Sequence, residues 1–571
     1  MTYTAPVEEQ KFVLRHVAGI AGLCGDNRYP EASLDVVDAI VEGVGAFASG
    51  EFAPLNRVGD TIGARWSPDG VTMPGGFREA YRAYVDNGWG TLAGPAEFGG
   101  QGLPQILATV VLENLGAANM AFSLCPMLSA GAVEALQHHG SPRQKETWLP
   151  RLITGEWTGT MNLTEPQAGS DVGALKTRAE PLGDGTYRIK GQKIFITFGD
   201  HDLADNILHL VLARLPGAPP GTKGISLFLV PKVRLDGTGN DVRCVSIEHK
   251  LGIHASPTCV MAFGDNDACL GELIGAENGG MRAMFTMMNN ARMNVGLQGV
   301  SVAERATQAA VAYAQGRVQS ARAGSAGRDP VAIVEHPDVR RMLLRMKALT
   351  QGARALAYYA AGLADLGRLD DQEAKARADL LTPLVKAWCT DVGCEVASLG
   401  VQVHGGMGFI EETGAAQHYR DIRIAPIYEG TNGIQAADLV GRKIGLDGGQ
   451  AVRGLLREME GANSALDELG RAVRELLDWM EGASVDDRLA GSYPLMTMMS
   501  VLVAGWLMAR QEGAAQDLLA RGEAPSPFLT MKIASAACFR SVIVPEAVGL
   551  KASAMGGAGL LYAVSAEAFG A

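Results

Sequence analysis

Apolar residues recur at helical spacing through the first part of the chain: Phe12, Val13, Val17 and Ile20, then Leu34, Val37, Ile40 and Val41. Glycine and proline punctuate the segments, and the pattern predicts an all-helical region over residues 6–157. Within it, residues 93–103 (AGPAEFGGQGL) are too rich in glycine for a helix and read as a loop. Between about residues 158 and 272 the texture changes to short β-type runs, at 187–189, 193–196, 207–213, 224–230 and 258–263, separated by Gly, Pro and Asp. That predicts a small antiparallel β domain. From about residue 279 to 444 helical periodicity returns in long segments with few breakers, the mark of a helix bundle. A further helical region follows from about 447 to 571. Its apolar faces (Leu466, Val473, Leu476, Leu477; then Leu495, Met498, Met499, Leu502) must cover something.

The totals narrow the class. At 571 residues, three or four domains are expected. The composition, 47% hydrophobic and 20% charged, is that of a globular enzyme, and 72 glycines point to many turns and close helix contacts. A net charge of −12 argues against nucleic acid as a partner. The eight cysteines show no C-x-x-C spacing and read as reduced, buried side chains. The first ten residues resemble neither a signal nor a transit peptide, so a cytoplasmic location is expected. The apolar run 495–509 is shorter than a spanning helix needs and rich in Met, and it reads as a buried bundle helix.

Three stretches carry the chemistry. In Ile427-Tyr428-Glu429-Gly430-Thr431-Asn432-Gly433-Ile434-Gln435 a carboxylate stands between an aromatic and a glycine, before a helix that Thr431 or Asn432 caps. Gly430 lets another group approach the backbone closely, and desolvation in an apolar turn pushes an acid toward working pH, as a general base requires. A solvated surface turn is the bland alternative. Upstream, Gln402-Val403-His404-Gly405-Gly406-Met407-Gly408-Phe409 is dense in glycine, with backbone N–H groups suited to a pyrophosphate. His404 in it reads as a packed loop histidine. The third stretch is Met161-Asn162-Leu163-Thr164-Glu165-Pro166-Gln167-Ala168-Gly169-Ser170-Asp171, followed by Lys190-Gly191-Gln192-Lys193-Ile194-Phe195-Ile196-Thr197.

Together, in this order, the three stretches resemble the acyl-CoA dehydrogenase flavoenzymes, and the resemblance spans residues 88–444. It implies an α+β multidomain chain: an N-terminal α domain (1–157), a middle antiparallel β domain (158–275), a C-terminal four-helix bundle (276–446) and an additional helical domain (447–571). It implies FAD as cofactor and Glu429 as the base that takes the α-proton of an acyl-CoA thioester while the β-hydrogen leaves as hydride. Two hydrogen bonds to the thioester carbonyl, one from the backbone N–H of the glutamate, would stabilise the charge that develops. Some members place the base within the segment matching Asn289 to Met293; Ala291 stands at that position here and takes no proton.

By the same resemblance, Met161, Leu163, Thr164, Gly169, Ser170, Phe195 and Thr197 attend the flavin, Phe195 standing where many members have tryptophan. Arg317, His336, Gln402, Gly405, Gly406 and Thr431 attend the distal half of FAD, shared across a subunit interface. Gly433 replaces the glutamine commonly found there. Ser170, Asn289, Arg292, Tyr428 and Gly430 attend the substrate; a lone Arg292 would otherwise read as a surface residue. Electron-transfer flavoprotein is the implied electron acceptor, and a homodimer the implied assembly, the extension occupying the face through which shorter members form tetramers. The long form resembles bacterial members acting on short or medium acyl-CoAs, 3-methylthiopropanoyl-CoA among them, and also the very-long-chain type. An acyl-CoA oxidase shares fold, flavin and base, and a catalytically silent CoA-binding protein shares the fold; retention of Glu429 argues against the silent version.

Overall fold

The structure, a computed structural model, describes residues 3–324 and 326–571. The chain divides into two compact units, one built mainly of residues 35–294 and the other of residues 6–34 with 295–571.

In the first unit, helices Gln105–Ala118, Met120–His139 and Pro142–Thr154 precede an eight-stranded sheet. Their starts are set locally: Asn119 caps the second through the amide of Phe122, and Ser141 with Gln144 forms a capping box on the third. The strand Asn206–Arg214 is apolar and buried almost end to end, because both of its edges are paired and both of its faces are covered. The sheet departs from the expected antiparallel β domain in one respect: Trp157–Asn162 pairs parallel with Asn206–Arg214 over six residues, and Arg178 also meets Arg214 in parallel. Alternation identifies strands but not the direction of their neighbours. The runs at 187–189 and 193–196 are one strand, Thr186–Thr197, bent by a bulge between Lys193 and Ile196.

A second correction concerns the region read as all-helical. Arg65–Ser67 and Gly70–Thr72 pair as a hairpin joined by the two-residue turn Pro68-Asp69 before Gly70, a turn signal that the helical spacing of the flanking segments obscured. The loop at 93–103 holds one short 3-10 turn, Ala96–Phe98. It folds back so tightly that a Cβ on Gly100 would lie 2.0 Å from the carbonyl oxygen of Gly94, so only glycine fits there.

Two buried imidazoles tie the strand Trp157–Asn162 to the strand Asn206–Arg214 and to the segment leading into it. His201 Nε2 lies 3.0 Å from Thr158 Oγ1 while its Nδ1 accepts from the Leu203 amide, and His209 Nδ1 lies 2.7 Å from Thr160 Oγ1. Burial, helped by the nearby Lys232 ammonium, pushes both pKa values down to about 3. A histidine with a depressed folded pKa costs nothing above the unfolded value of 6.5 and withdraws stability as pH falls from there toward 3. Each is therefore expected to remove about 2 kcal/mol between pH 7 and pH 5. Denaturant titrations at the two pH values check this, and His209→Gln should flatten the dependence; an unchanged slope in the variant would contradict it.

In the second unit, helices Pro337–Arg368 and Gln372–His404 pack with the C-terminal part of Gly280–Gly316. Glycine sets the approach: a Cβ on Gly393 would lie 2.8 Å from Gly299 Cα. The extension does cover a surface, since Ser492–Ala520 and Pro527–Cys538 lie against the bundle, with Trp506 edge-on to Tyr359 at 5.6 Å and Phe539 near Trp388 at 6.2 Å. Leu466, Val473, Leu476, Leu495, Met498, Met499 and Leu502 are buried there. Ser492–Ala520 and Pro527–Ala554 are long and apolar enough to cross a membrane, but 78% of the apolar window of the first is buried inside the protein. A charge network ties the first helix, Val7–His16, into this core: Lys532 Nζ donates to Glu9 at 2.9 Å, and Arg354 Nη2 donates to Glu304 at 2.8 Å.

Candidate active site

The segment 426–435 folds into a tight turn before the helix Asn432–Asp438. Thr431 is the N-cap, its Oγ1 accepting from the Ile434 amide at 3.2 Å, and the Asn432 amide closes the loop on the Pro426 carbonyl at 3.0 Å. Glu429 and Gly430 both take positive φ, +57° and +79°. For glutamate this costs roughly 1–2 kcal/mol, so the surroundings must impose it. Gln435 does so: its Nε2 donates to the carbonyls of Glu429 at 3.1 Å and Gly430 at 3.3 Å. A Cβ on residue 430 would lie 2.9 Å from that nitrogen, which explains the glycine.

Tyr428 is anchored through its Oη, which donates to Gln298 Oε1 on the helix Gly280–Gly316. Burial and the adjacent Glu429 carboxylate push the phenol pKa well up, so Tyr428 stays a donor. A cavity of about 540 Å³ opens beside the turn, lined by Ile427, Thr431, Asn432 and Gly433 together with Asp391, Arg423 and Tyr493.

The other unit assembles the second group of expected residues. Met161 ends in the buried strand Trp157–Asn162, and the chain then turns through Leu163 and Thr164. That turn is fastened to strand Thr186–Thr197, because the Ile194 amide donates to Thr164 O at 2.9 Å and Lys193 Nζ donates to Leu163 O at 3.0 Å. Leu163, Thr164, Phe195 and Thr197 are thereby brought to one strand end. Phe195 sits at the bulge with φ +60° and its side chain 58% exposed, and Thr197 pairs with Thr258. Gly169 and Ser170 are exposed on the following loop. On the helix Gly280–Gly316 Asn289 is half-buried, Ala291 is buried, and Arg292 is 7% exposed and so no surface arginine.

Arg317 and His336 meet around one residue: Arg317 Nη2 donates to Gln319 Oε1 at 3.3 Å, and His336 Nε2 lies 2.8 Å from the Gln319 carbonyl oxygen. Tyr313, one turn before Arg317, packs at a tilt against His404, the ring centroids 4.4 Å apart, which joins the end of that helix to Gln402, Gly405 and Gly406. His404 is packed, but it ends the helix Gln372–His404 where a loop histidine is expected; its Nδ1 lies 2.7 Å from the Gly400 carbonyl oxygen and burial lowers its pKa.

Within each unit separately, these residues suit part of a flavin dinucleotide. An aromatic ring is held out of the sheet by a strained backbone, and Gly169, Gly405 and Gly406 leave open space where a Cβ would meet nothing within 4 Å. Arg317 adds an exposed guanidinium suited to a diphosphate.

Several residues at these sites escaped the sequence reading. Glu165 and Lys193 lie inside quoted motifs but carried no assigned role; they form a buried ion pair at 2.9 Å beneath the Leu163 turn. Gln298, Gln435, Asn432 and Asp391 hold the Glu429 segment. Asn432 is expected only as an alternative cap, a place that Thr431 takes; Gln435 lies in the same stretch, while Gln298 and Asp391 are remote in sequence.

Four family models match in succession: Acyl-CoA dehydrogenase, N-terminal domain over residues 37–156; middle domain over 160–266; C-terminal domain over 278–444; and Acetyl-CoA dehydrogenase C-terminal like over 442–565. The chain is 47% identical to 3-methylmercaptopropionyl-CoA dehydrogenase of Ruegeria pomeroyi, covering 96% of this chain and 97% of that one. It is 33% identical to the broad-specificity linear acyl-CoA dehydrogenase FadE5 of Mycobacterium tuberculosis, over 95% and 96%. An acyl-CoA dehydrogenase from Bacillus anthracis, solved in complex with FAD, shares the fold with a TM-score of 0.74 at 23% identity, over 92% and 88%. The chain belongs to the acyl-CoA dehydrogenase family of FAD-dependent enzymes.

Proposed function

We propose that this enzyme removes the α-proton of an acyl-CoA thioester with Glu429 while the β-hydrogen departs as hydride, giving the trans-2-enoyl-CoA. The observation that carries the reading is the Glu429 turn, a carboxylate on a backbone of positive φ fixed by Gln435 and followed by a glycine. FAD, when bound, supplies the hydride acceptor. The chain supplies the rest: Glu429 takes the proton, the electron pair of the α C–H bond becomes the new C=C bond, and the fixed turn keeps the carboxylate from relaxing away. Ser170, Asn289, Arg292, Tyr428 and Gly430 bind the substrate in this reading, and electron-transfer flavoprotein receives the electrons.

The acyl group is short or medium, with 3-methylthiopropanoyl-CoA the first candidate. Identity of 47% along nearly the whole length to the Ruegeria pomeroyi enzyme supports it. Anaerobic addition of an acyl-CoA series, with the methylthio thioester included, tests both parts. Bleaching of the flavin is expected with all the shorter thioesters and fastest with the methylthio one. No bleaching by any member would sink the reaction, and a maximum at long unbranched chains would sink the substrate. Rapid peroxide formation in air would favour an oxidase.

A homodimer completes the reading. Met407, Phe409 and Ile410 stand exposed beside Gly405 and Gly406, Phe409 at 85%, and such apolar residues suit a subunit interface near the FAD diphosphate. The extension covers the bundle face that shorter members use for tetramers. Light scattering after size exclusion is expected to give a dimer mass, and a stable tetramer would contradict the covering role.

A further inference from the structure

Asn432, the first residue of the helix behind Glu429, is 3% exposed and saturated with hydrogen bonds. Lys386 Nζ donates to its Oδ1 at 2.9 Å, and its Nδ2 donates to Asp391 Oδ1 at 2.8 Å and to the Ala387 carbonyl at 3.0 Å. The other oxygen of Asp391 accepts from Tyr493 Oη at 2.6 Å. Tyr493 belongs to the appended helical region, in the first turn of Ser492–Ala520, and is separated from Asp391 by 102 positions. A chain of charge-assisted bonds therefore runs from the extension to the catalytic turn, and Gln435, one helical turn beyond Asn432, holds the Glu429 carbonyl at 3.1 Å.

We infer that Tyr493 is a positioning residue for Glu429, acting through Asp391 and Asn432; this rests on the reading of Glu429 as the base. The reasons are geometric. Positive φ at Glu429 is stored strain, and it persists only while the start of the following helix is fixed. Asn432 fixes that start, and Asp391 can serve it only while its carboxylate points toward the turn. The phenol is the group that takes up the second oxygen and sets this orientation. Burial and the Asp391 carboxylate hold the Tyr493 phenol in its protonated, donating form. The extension thus does more than cover an apolar face: it supplies one polar group to the wall of the cavity beside the turn.

Tyr493→Phe removes the hydroxyl and keeps the ring, so folding and FAD content should be those of the wild type. Anaerobic stopped-flow is expected to show flavin reduction slowed about ten-fold, below the ~10²-fold that a misplacement of about 1 Å costs. The apparent Kd for acyl-CoA should stay within two-fold, a split that a merely structural role would not produce. Asp391→Asn should slow reduction similarly, and the double variant should be no slower than the slower single, because one chain is cut twice. Reduction within two-fold of wild type in Tyr493→Phe, loss of FAD or of folding, or single effects that multiply would each overturn the inference. Glu429→Gln, run beside them, separates the two readings: if it still reduces its flavin the base assignment fails, and if it alone is silent only the positioning role fails.

Discussion

Lys193→Met is expected to destabilise the protein by about 3 kcal/mol and to release FAD. The ammonium and Glu165 are both buried, 0% and 4% exposed, and 2.9 Å apart. Breaking such a pair by removing one partner costs about 3–5 kcal/mol, because a buried charge is left behind. The low end applies here. Glu165 keeps Thr177 Oγ1 at 2.6 Å, the amides of Lys176 at 2.7 Å and Thr177 at 3.0 Å, and Gln167 Nε2 at 2.6 Å. Burial alone would raise the pKa of Glu165, but Lys193 and these donors hold it down to about 2. Its contribution to stability is complete above the ordinary value of 4.5 and fades as pH falls through about 2.

The same ammonium also holds the Leu163 carbonyl at 3.0 Å, so its loss frees the turn that carries Leu163 and Thr164. Flavin absorbance per protein after gel filtration and the denaturation midpoint read the two effects. The neutral pair Glu165→Gln with Lys193→Met should recover at least half the stability, since no charge is then stranded. A single variant with normal midpoint and full FAD would contradict the role given to the pair.

Much of this was legible in the residues, for identifiable reasons. Long apolar periodicity identifies the helices Pro337–Arg368 and Gln372–His404, and the turn at Glu429 and the helix end at Gly405 are legible because each is set by its own short stretch of glycine and capping residues. The capping of Asn432–Asp438 by Thr431 is likewise a local matter. What sequence reading missed is non-local. The partner strand and direction of Trp157–Asn162 depend on a segment about 50 residues away, and the Tyr493–Asp391 bond on one 102 positions away. Residues 6–34 read as the start of one helical region, yet they cluster with 295–571, since Glu9 finds its partner at Lys532. Phe195 is expected at the flavin by resemblance, but its φ of +60° at the bulge is not legible in a run that reads as a regular strand.

In the proposed reaction Glu429 removes the α-proton. A glutamine in its place keeps the shape of the side chain and leaves the bonds from Gln435 to the backbone of residues 429 and 430, so folding and FAD content should be unchanged. General-base catalysis is worth about 10²–10⁴-fold, and Ala291, which by resemblance stands at the alternative base position, takes no proton. Both groups that hold the turn, Gln435 and Asn432, survive the change, so any loss reports the proton transfer itself. The direct measurement is anaerobic stopped-flow reduction of the flavin by 3-methylthiopropanoyl-CoA in wild type and Glu429→Gln side by side. The variant should be slower by at least about 10²-fold with thioester affinity retained. Reduction within about ten-fold of wild type, a difference of roughly 1.4 kcal/mol, would contradict the assignment.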